Sequence, residues 1–157
     1  MKASISFVIP VYNEEKRLNF FFSKIKNINF FCKFHKINEI IFVDDGSTDT
    51  TNSIIKNYKN NSLKVKIIKT KHVGMMNAIF AGIDQANSDY IITLEADVPV
   101  EIEEIFRIIT KHNDENYDIL IGSRYKKFIP KDVPFVRRVV SKSFLFLYNL
   151  FYNINVS

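Results

Sequence analysis

Two acidic segments stand where chemistry is expected. Asp44 and Asp45, followed by Gly46 and Ser47, close the apolar run Ile40-Ile41-Phe42-Val43, and Glu95-Ala96-Asp97 closes Tyr90-Ile91-Ile92-Thr93-Leu94. Carboxylates at the ends of buried strands need a partner, because an isolated buried charge is expensive. Residues two apart in an extended segment project to the same side, so Glu95 and Asp97 converge across the small Ala96. Converging anions repel unless a cation or a proton intervenes, and Mg²⁺ or Mn²⁺ accepts such oxygens alongside phosphate and water. Two adjacent acids at Asp44-Asp45 exceed what helix capping needs, so at least one is expected to accept hydrogen bonds from a base N–H or ribose hydroxyls. The third segment is Pro10-Val11-Tyr12-Asn13-Glu14-Glu15. A strand that turns there into a helix brings polar side chains and helix-start amides to the same crevice, which suits a base or a phosphate. Asn13 would serve equally as a helix N-cap followed by acids in the first turn.

The elements that must position these residues alternate in period. Ile5 to Ile9 is a short buried strand expected to stop at Pro10, and Leu18, Phe21, Phe22, Ile25 and Ile28 then recur at helical spacing. Ile40 to Val43 is a second strand, after which Ser47, Thr48 and Asp49 are N-cap candidates for a helix through about Tyr58. Val65 to Ile68 reads as a third strand, followed by Gly74 and a helix carrying Ala78, Ile79, Gly82, Ile83 and Ala86. Tyr90 to Leu94 is the fourth strand. Pro99 then precedes a helix with Ile102, Ile105, Phe106 and Ile109 inward, and Ile119 to Ile121 is a fifth strand ending at Gly122-Ser123-Arg124. Such alternation implies parallel pairing through right-handed crossovers, hence a three-layer α/β/α sandwich with a mostly parallel sheet. In open sheets of this kind ligands bind beyond the carboxyl ends of the strands, where all three acidic segments fall. After Arg124 the pattern changes to Pro130, Pro134 and a basic, then apolar, helix from about Phe135 to Phe151.

Bulk composition narrows the classes. With 157 residues, 46% hydrophobic and 25% charged, the chain has room for one domain and its core without staples. Its single cysteine, Cys32, excludes an internal disulfide and suits a reducing compartment. The start Met1-Lys2-Ala3-Ser4 lacks the tripartite pattern of a signal peptide. The apolar stretch Phe144 to Tyr152 is far shorter than the about 20 residues a membrane-spanning helix needs. The net charge of +5 is concentrated: Arg124, Lys126, Lys127, Lys131, Arg137, Arg138 and Lys142 face one acid, Asp132, over that interval. This basic segment runs into Phe144-Leu145-Phe146-Leu147, a combination that attracts anionic phosphates, a membrane surface among them. A solvated basic face beside a core helix is the plainer alternative.

Together these segments carry a resemblance. Val8-Ile9-Pro10-Val11-Tyr12-Asn13-Glu14-Glu15, Val43-Asp44-Asp45-Gly46-Ser47-Thr48-Asp49-Thr50-Thr51, the Gly74 to Gly82 helix, Leu94-Glu95-Ala96-Asp97 and Gly122-Ser123-Arg124-Tyr125 occur in the order of family 2 glycosyltransferases. The chain resembles these inverting enzymes of the GT-A fold, and its tail is similar to the dolichyl- or polyprenyl-phosphate mannose synthase branch. The resemblance implies a nucleotide-sugar donor (GDP- or UDP-linked), a divalent metal (Mg or Mn) and a lipid-phosphate acceptor. It places Pro10, Tyr12, Glu14, Asp44 and Asp45 about the nucleoside, with Glu95, Ala96 and Asp97 at the diphosphate. Asp97 and Glu95 would hold the metal, Asp97 and Arg124 would be catalytic, and Arg124 with Arg138 would meet the acceptor phosphate. Residues 1–125 would form the nucleotide-sugar-binding core, and 126–157 a membrane-proximal acceptor segment expected to continue further, at the cytoplasmic face of a membrane. The chain departs from the family pattern at Glu95, where the metal motif usually begins with Asp, at Pro99, where a polar ligand is usual, and at Lys71-His72-Val73-Gly74, which lacks the common Gly-Lys step.

Four other readings are tested by the same residues. A phosphoacceptor receiver domain would carry an acidic pair after the first strand, where this chain has Pro10-Val11. A non-catalytic nucleotide-sugar- or membrane-binding module, or a transferase with a saccharide acceptor, shares most of the motifs; a sugar hydroxyl would need a carboxylate base, and after Asp118 the sequence offers only Asp132. Nucleic-acid binding is disfavoured, since the basic segment has neither zinc-finger spacing nor an aromatic RNA-binding signature.

Overall fold

A computed structural model describes residues 3–58, 63–97, 101–112 and 118–119, together with Val140 and Ser143. The chain divides into two units, Met1–Asp114 and Glu115–Ser157, and every element below lies in the first. The order is β1 (Ser4–Val11), α1 (Glu15–Lys24), α2 (Ile28–Phe31), β2 (Lys36–Asp44), α3 (Thr51–Asn57), β3 (Lys64–Lys69), α4 (Met75–Gln85), β4 (Tyr90–Thr93) and α5 (Ile102–His112). The four strands form one parallel sheet in the order β3-β2-β1-β4.

Side-chain alternation along β1 and β2 builds the two faces of this sheet. Phe7, Ile9, Ile40 and Phe42 point into a core shared with Leu18 and Phe21 of α1, Ile55 of α3, and Ile102 and Phe106 of α5. Val8, Ile41 and Val43 point the other way, onto Ala78 of α4. The result is the α/β/α sandwich expected from the alternating periods. Gly82 lets α4 lie close on the sheet: a Cβ there would run into Val8 Cγ1 and stand 2.9 Å from Val43 Cγ2.

Three local expectations are corrected. Pro10 does not stop the first strand, which runs through it to Val11 in register with Asp44. The β1–β4 ladder does end there: the Leu94 N–H donates to the Val8 carbonyl, and the next nitrogen along that edge belongs to Pro10, which has no hydrogen to give. The first helical pattern is two helices, because the chain turns at Ile25 to Asn27 and Asn27 sends its amide to Glu103 Oε1 at 2.6 Å. Ile25 and Ile28 are buried all the same. The helix after β2 begins at Thr51, not at Ser47, since Ser47 and Thr48 face the β1–α1 loop.

At the amino-terminal half of the sheet, β2 carries a buried acid that the sequence pattern hides. Glu39 Oε2 pairs with Lys66 Nζ at 2.7 Å, and its Oε1 accepts from the Ser6 hydroxyl and the Asn87 N–H, each at 3.2 Å. Burial raises the Glu39 pKa, but the Lys66 and amide contacts outweigh it and leave the value below the ordinary one. This network ties the α4–β4 connection to the sheet end opposite the acidic segments. Ile119, the expected start of the fifth strand, is exposed and outside any strand, while Pro99, Leu120 and Ile121, the 125/126 boundary and most of the helix from about Phe135 to Phe151 lie outside the described residues. Among the described residues no helix is long and apolar enough to cross a membrane.

Candidate active site

The carboxyl ends of β1, β2, β3 and β4 lie along one edge of the sheet, which brings the three acidic segments together as the alternation requires. The register Val11↔Asp44 and Asp44↔Lys69 sets β1, β2 and β3 level. The Leu94 N–H bond to Val8 places the residues after β4 beside them.

Asp44 and Asp45 are both buried, at 1% and 3% exposure, yet they do different work. Asp45 locks the loop that follows β3. Its Oδ1 accepts from the Thr70 hydroxyl at 2.5 Å and the Val73 N–H at 2.9 Å, and its Oδ2 accepts from the Gly74 N–H at 2.9 Å, with His72 Nδ1 at 3.4 Å. Burial pushes its carboxyl up, but these donors and the His72 ring together hold the pKa below the usual carboxylate value. Asp44 accepts the Ser47 N–H at 2.8 Å through Oδ1 and the Asn52 amide at 3.1 Å through Oδ2. A carboxylate has about four acceptor positions. Among the described residues Asp44 keeps about two of them open, whereas those of Asp45 are filled.

The loop between β1 and α1 is fixed by a second set of contacts. Asn13, at φ 53, is not a helix cap: its N–H donates to Ser47 Oγ at 3.0 Å and its Oδ1 accepts the Thr48 N–H at 2.9 Å. Glu15 and Asp49 exchange helix starts. Asp49 Oδ2 accepts the Glu15 N–H at 3.2 Å, and Glu15 Oε2 accepts the Thr50 N–H at 3.1 Å. Asp49 also accepts the Thr51 N–H through Oδ1, and although burial raises its pKa the bonds win and lower it. Asn13, Glu15, Thr48 and Asp49 with Glu14, Lys16 and Arg17 line an open groove. The Glu14 carboxylate is engaged by Arg17 at 3.0 Å, its N–H donates to Thr51 Oγ1, and Pro10 is buried within β1. Tyr12 is 41% exposed and stacks on His72 with ring centroids 4.1 Å apart.

After β4 the chain is not extended as the acid-x-acid reading requires, but turns at Ala96 and Asp97. Ala96 is buried in the core while Glu95 and Asp97 on either side of it are exposed. Neither acid makes a hydrogen bond or ion pair among the described residues. No three metal-binding side chains converge among those residues, so a cation here would rest on two carboxylate oxygens and would need the rest from phosphate and water. Unpartnered, exposed, hard oxygen donors at a strand end fit Mg²⁺ or Mn²⁺ on those terms. Arg124 and Arg138 lie outside the described residues. The residue that sequence reasoning undervalued is His72, whose contact with Tyr12 carries no signal in the sequence beyond a loop position two residues before Gly74.

A parallel sheet covered by helices, with acids at the carboxyl ends of its strands, defines the α/β/α class of the chain, and the comparisons give its family. The model of glycosyl transferase family 2 matches residues 6–156, and the chain belongs to that family. It is 38% identical over 125 residues to the undecaprenyl-phosphate 4-deoxy-4-formamido-L-arabinose transferase of Proteus mirabilis (strain HI4320), covering 76% of this chain and 36% of that protein. It is 37% identical over 108 residues to the prophage bactoprenol glucosyl transferase homolog of Escherichia coli (strain K12), covering 68% and 35%. The chain thus spans about a third of the length of these curated relatives. Among solved structures it is similar to S. aureus TarS, with a TM-score of 0.59 at 23% identity over 81% of this chain and 40% of that one. The TarS structure in complex with UDP gives 0.51 at 27% identity, over 72% and 33%. A mannosyltransferase, PcManGT from Pyrobaculum calidifontis in complex with GDP-Man and Mn²⁺, gives 0.52 at 21% identity, over 64% and 30%, a likeness of fold alone.

Proposed function

We propose that this chain is the donor-binding part of an inverting glycosyltransferase that moves a sugar from a nucleotide-sugar to a polyprenyl phosphate at the cytoplasmic face of a membrane. The observation that carries the reading is the unequal pair of acid sites on one sheet edge: among the described residues, a buried Asp44 with open acceptor positions, and Glu95 with Asp97 exposed and unpartnered. Asp44 accepts hydrogen bonds from the nucleoside, with Pro10, Tyr12 and Glu14 around it and Asp45 holding the neighbouring loop. Glu95 and Asp97 hold a divalent metal, Mg²⁺ or Mn²⁺, against the donor diphosphate. When bound, the metal supplies Lewis-acid stabilisation of charge on the leaving diphosphate. The family resemblance gives Arg124 the role of adding positive charge for a phosphate leaving group, and Arg138 that of meeting an acceptor phosphate.

The acceptor oxygen attacks C1 of the sugar from the face opposite the diphosphate, the C1–O bond to the diphosphate breaks, and the configuration inverts. A phosphate oxygen is already anionic near neutral pH, so no general base has to remove a proton from it. The names of the relatives from P. mirabilis and E. coli support this class of acceptor. The basic stretch between Arg124 and Lys142 would bring the protein to an anionic lipid surface.

Calorimetric titration with UDP- and GDP-sugars, with and without Mn²⁺, tests the donor half of this reading. Binding that strengthens with Mn²⁺ and is lost in Asp44→Ala is expected; no binding to either class of nucleotide-sugar would overturn it. Transfer of labelled sugar to undecaprenyl phosphate, compared with a free saccharide, tests the acceptor half.

A further inference from the structure

We propose that His72 is a positioning residue that fixes the Tyr12 ring as a flat surface for the heterocyclic base of the donor. The proposal rests on the donor-site reading above and deepens it. Tyr12 follows the end of β1 and is 41% exposed; among the described residues its only ring contact is with His72, and its hydroxyl makes no hydrogen bond. An exposed tyrosine held by nothing would sample several rotamers and lose that freedom when a ligand stacks on it. Here the imidazole lies nearly parallel to the phenol ring, 24° between planes and 4.1 Å between centroids.

His72 is itself held from three sides. Its Nδ1 lies 3.1 Å from the Asp45 carbonyl oxygen and 3.4 Å from Asp45 Oδ2. Both are acceptors, so Nδ1 carries the hydrogen. Its backbone, at φ 46, is in the left-handed region, and the next two amides donate to the Asp45 carboxylate. Gly46 closes the third side, because a Cβ there would sit 3.2 Å from both His72 Cβ and His72 N. Rigidity therefore passes from the buried Asp45 through His72 to Tyr12. An aromatic ring fixed beforehand binds a planar base at a smaller cost in side-chain freedom. The same chain accounts for the two acids at the end of β2: Asp44 is left to meet the nucleoside, and Asp45 shapes the surface beside it.

The experiment compares His72→Ala, His72→Phe and His72→Asn with wild type, titrating each with UDP and with GDP in Mn²⁺. The Tyr12 ring-proton resonances are followed without nucleotide, and a melting curve confirms that each variant is folded. Asparagine tolerates the left-handed backbone and removes the ring, so it separates loss of the stack from loop strain. The expected result is binding about two- to tenfold weaker for His72→Ala and His72→Asn, the range that one freed side chain gives. His72→Phe should restore it, and the ring-current shift of Tyr12 should be present in wild type and His72→Phe only. Undiminished affinity and an unchanged Tyr12 resonance in His72→Ala would overturn the proposal. Rescue by asparagine and not by phenylalanine would overturn it too, since the contact would then be polar. Wild type that shows the ring-current shift but binds no nucleotide would overturn the donor-site reading and leave the Tyr12 placement standing.

Discussion

Asp45 accepts the Gly74 N–H at 2.9 Å, so the acid at the end of β2 caps the amino terminus of α4 from another part of the chain. That bond, with those from Thr70 and Val73, makes the β3–α4 loop an extension of the sheet edge. Replacing Asp45 by Ala leaves three donors without their acceptor. The expected loss is about 1–3 kcal/mol of unfolding free energy, read from the urea midpoint at constant m-value. A loss below about 0.5 kcal/mol, the range of an ordinary surface substitution, would show that the loop is held by other contacts.

Acid should weaken the fold through the same bonds. The pKa values of Asp45, Asp49 and Glu39 are all depressed in the folded chain: burial acts to raise each, hydrogen bonds outweigh it, and the charge of His72 at Asp45 and of Lys66 at Glu39 adds to them. Their contribution is fully present above the ordinary values, 3.8 for the two aspartates and 4.5 for Glu39, and is lost as pH falls through the lower folded values. Melting temperature should therefore hold near neutrality and drop below that range. Asp45→Asn should flatten the drop, and a melting curve of the variant as steep in acid as wild type would contradict the assignment.

Gly82 is a test of how closely α4 approaches the sheet. The methyl group of Gly82→Ala meets Val8 and Val43, which are buried β-branched side chains with little room to turn. Overpacking of this kind costs about 1–3 kcal/mol. Thermal unfolding of Gly82→Ala should show a clear loss; an unchanged melting temperature would mean that α4 can lift from the strands.

Much of this could be read from the chain, for identifiable reasons. Ile40 to Val43 is a continuous apolar run, and Ile5 to Ile9 is one broken only by Ser6, because both faces of their strands are covered, and that pattern signals a parallel sheet. Acids placed just after such runs had to reach the carboxyl edge, and they do. What stayed hidden depended on contacts distant in sequence. Asn13 has every local feature of an N-cap, but it bonds Ser47 and Thr48 instead. Pro10 reads as a strand terminator because the sequence does not show which neighbour its nitrogen faces. Asp44 and Asp45 are equivalent as letters, and only the position of the Thr70 to Gly74 loop makes Asp45 a loop anchor and leaves Asp44 with fewer partners among the described residues. His72 gained its meaning from the same loop, through Tyr12, sixty residues earlier in the chain.

Glu95 and Asp97 are expected to complete a divalent-cation site only together with a nucleoside diphosphate. Electron paramagnetic resonance of Mn²⁺ measures this most directly, since the free-ion signal falls as the ion is bound. With wild type, addition of UDP or GDP should drive Mn²⁺ onto the protein beyond what nucleotide alone binds, and Asp97→Ala should abolish that excess. Equal Mn²⁺ uptake by wild type and Asp97→Ala in the presence of nucleotide would contradict the claim.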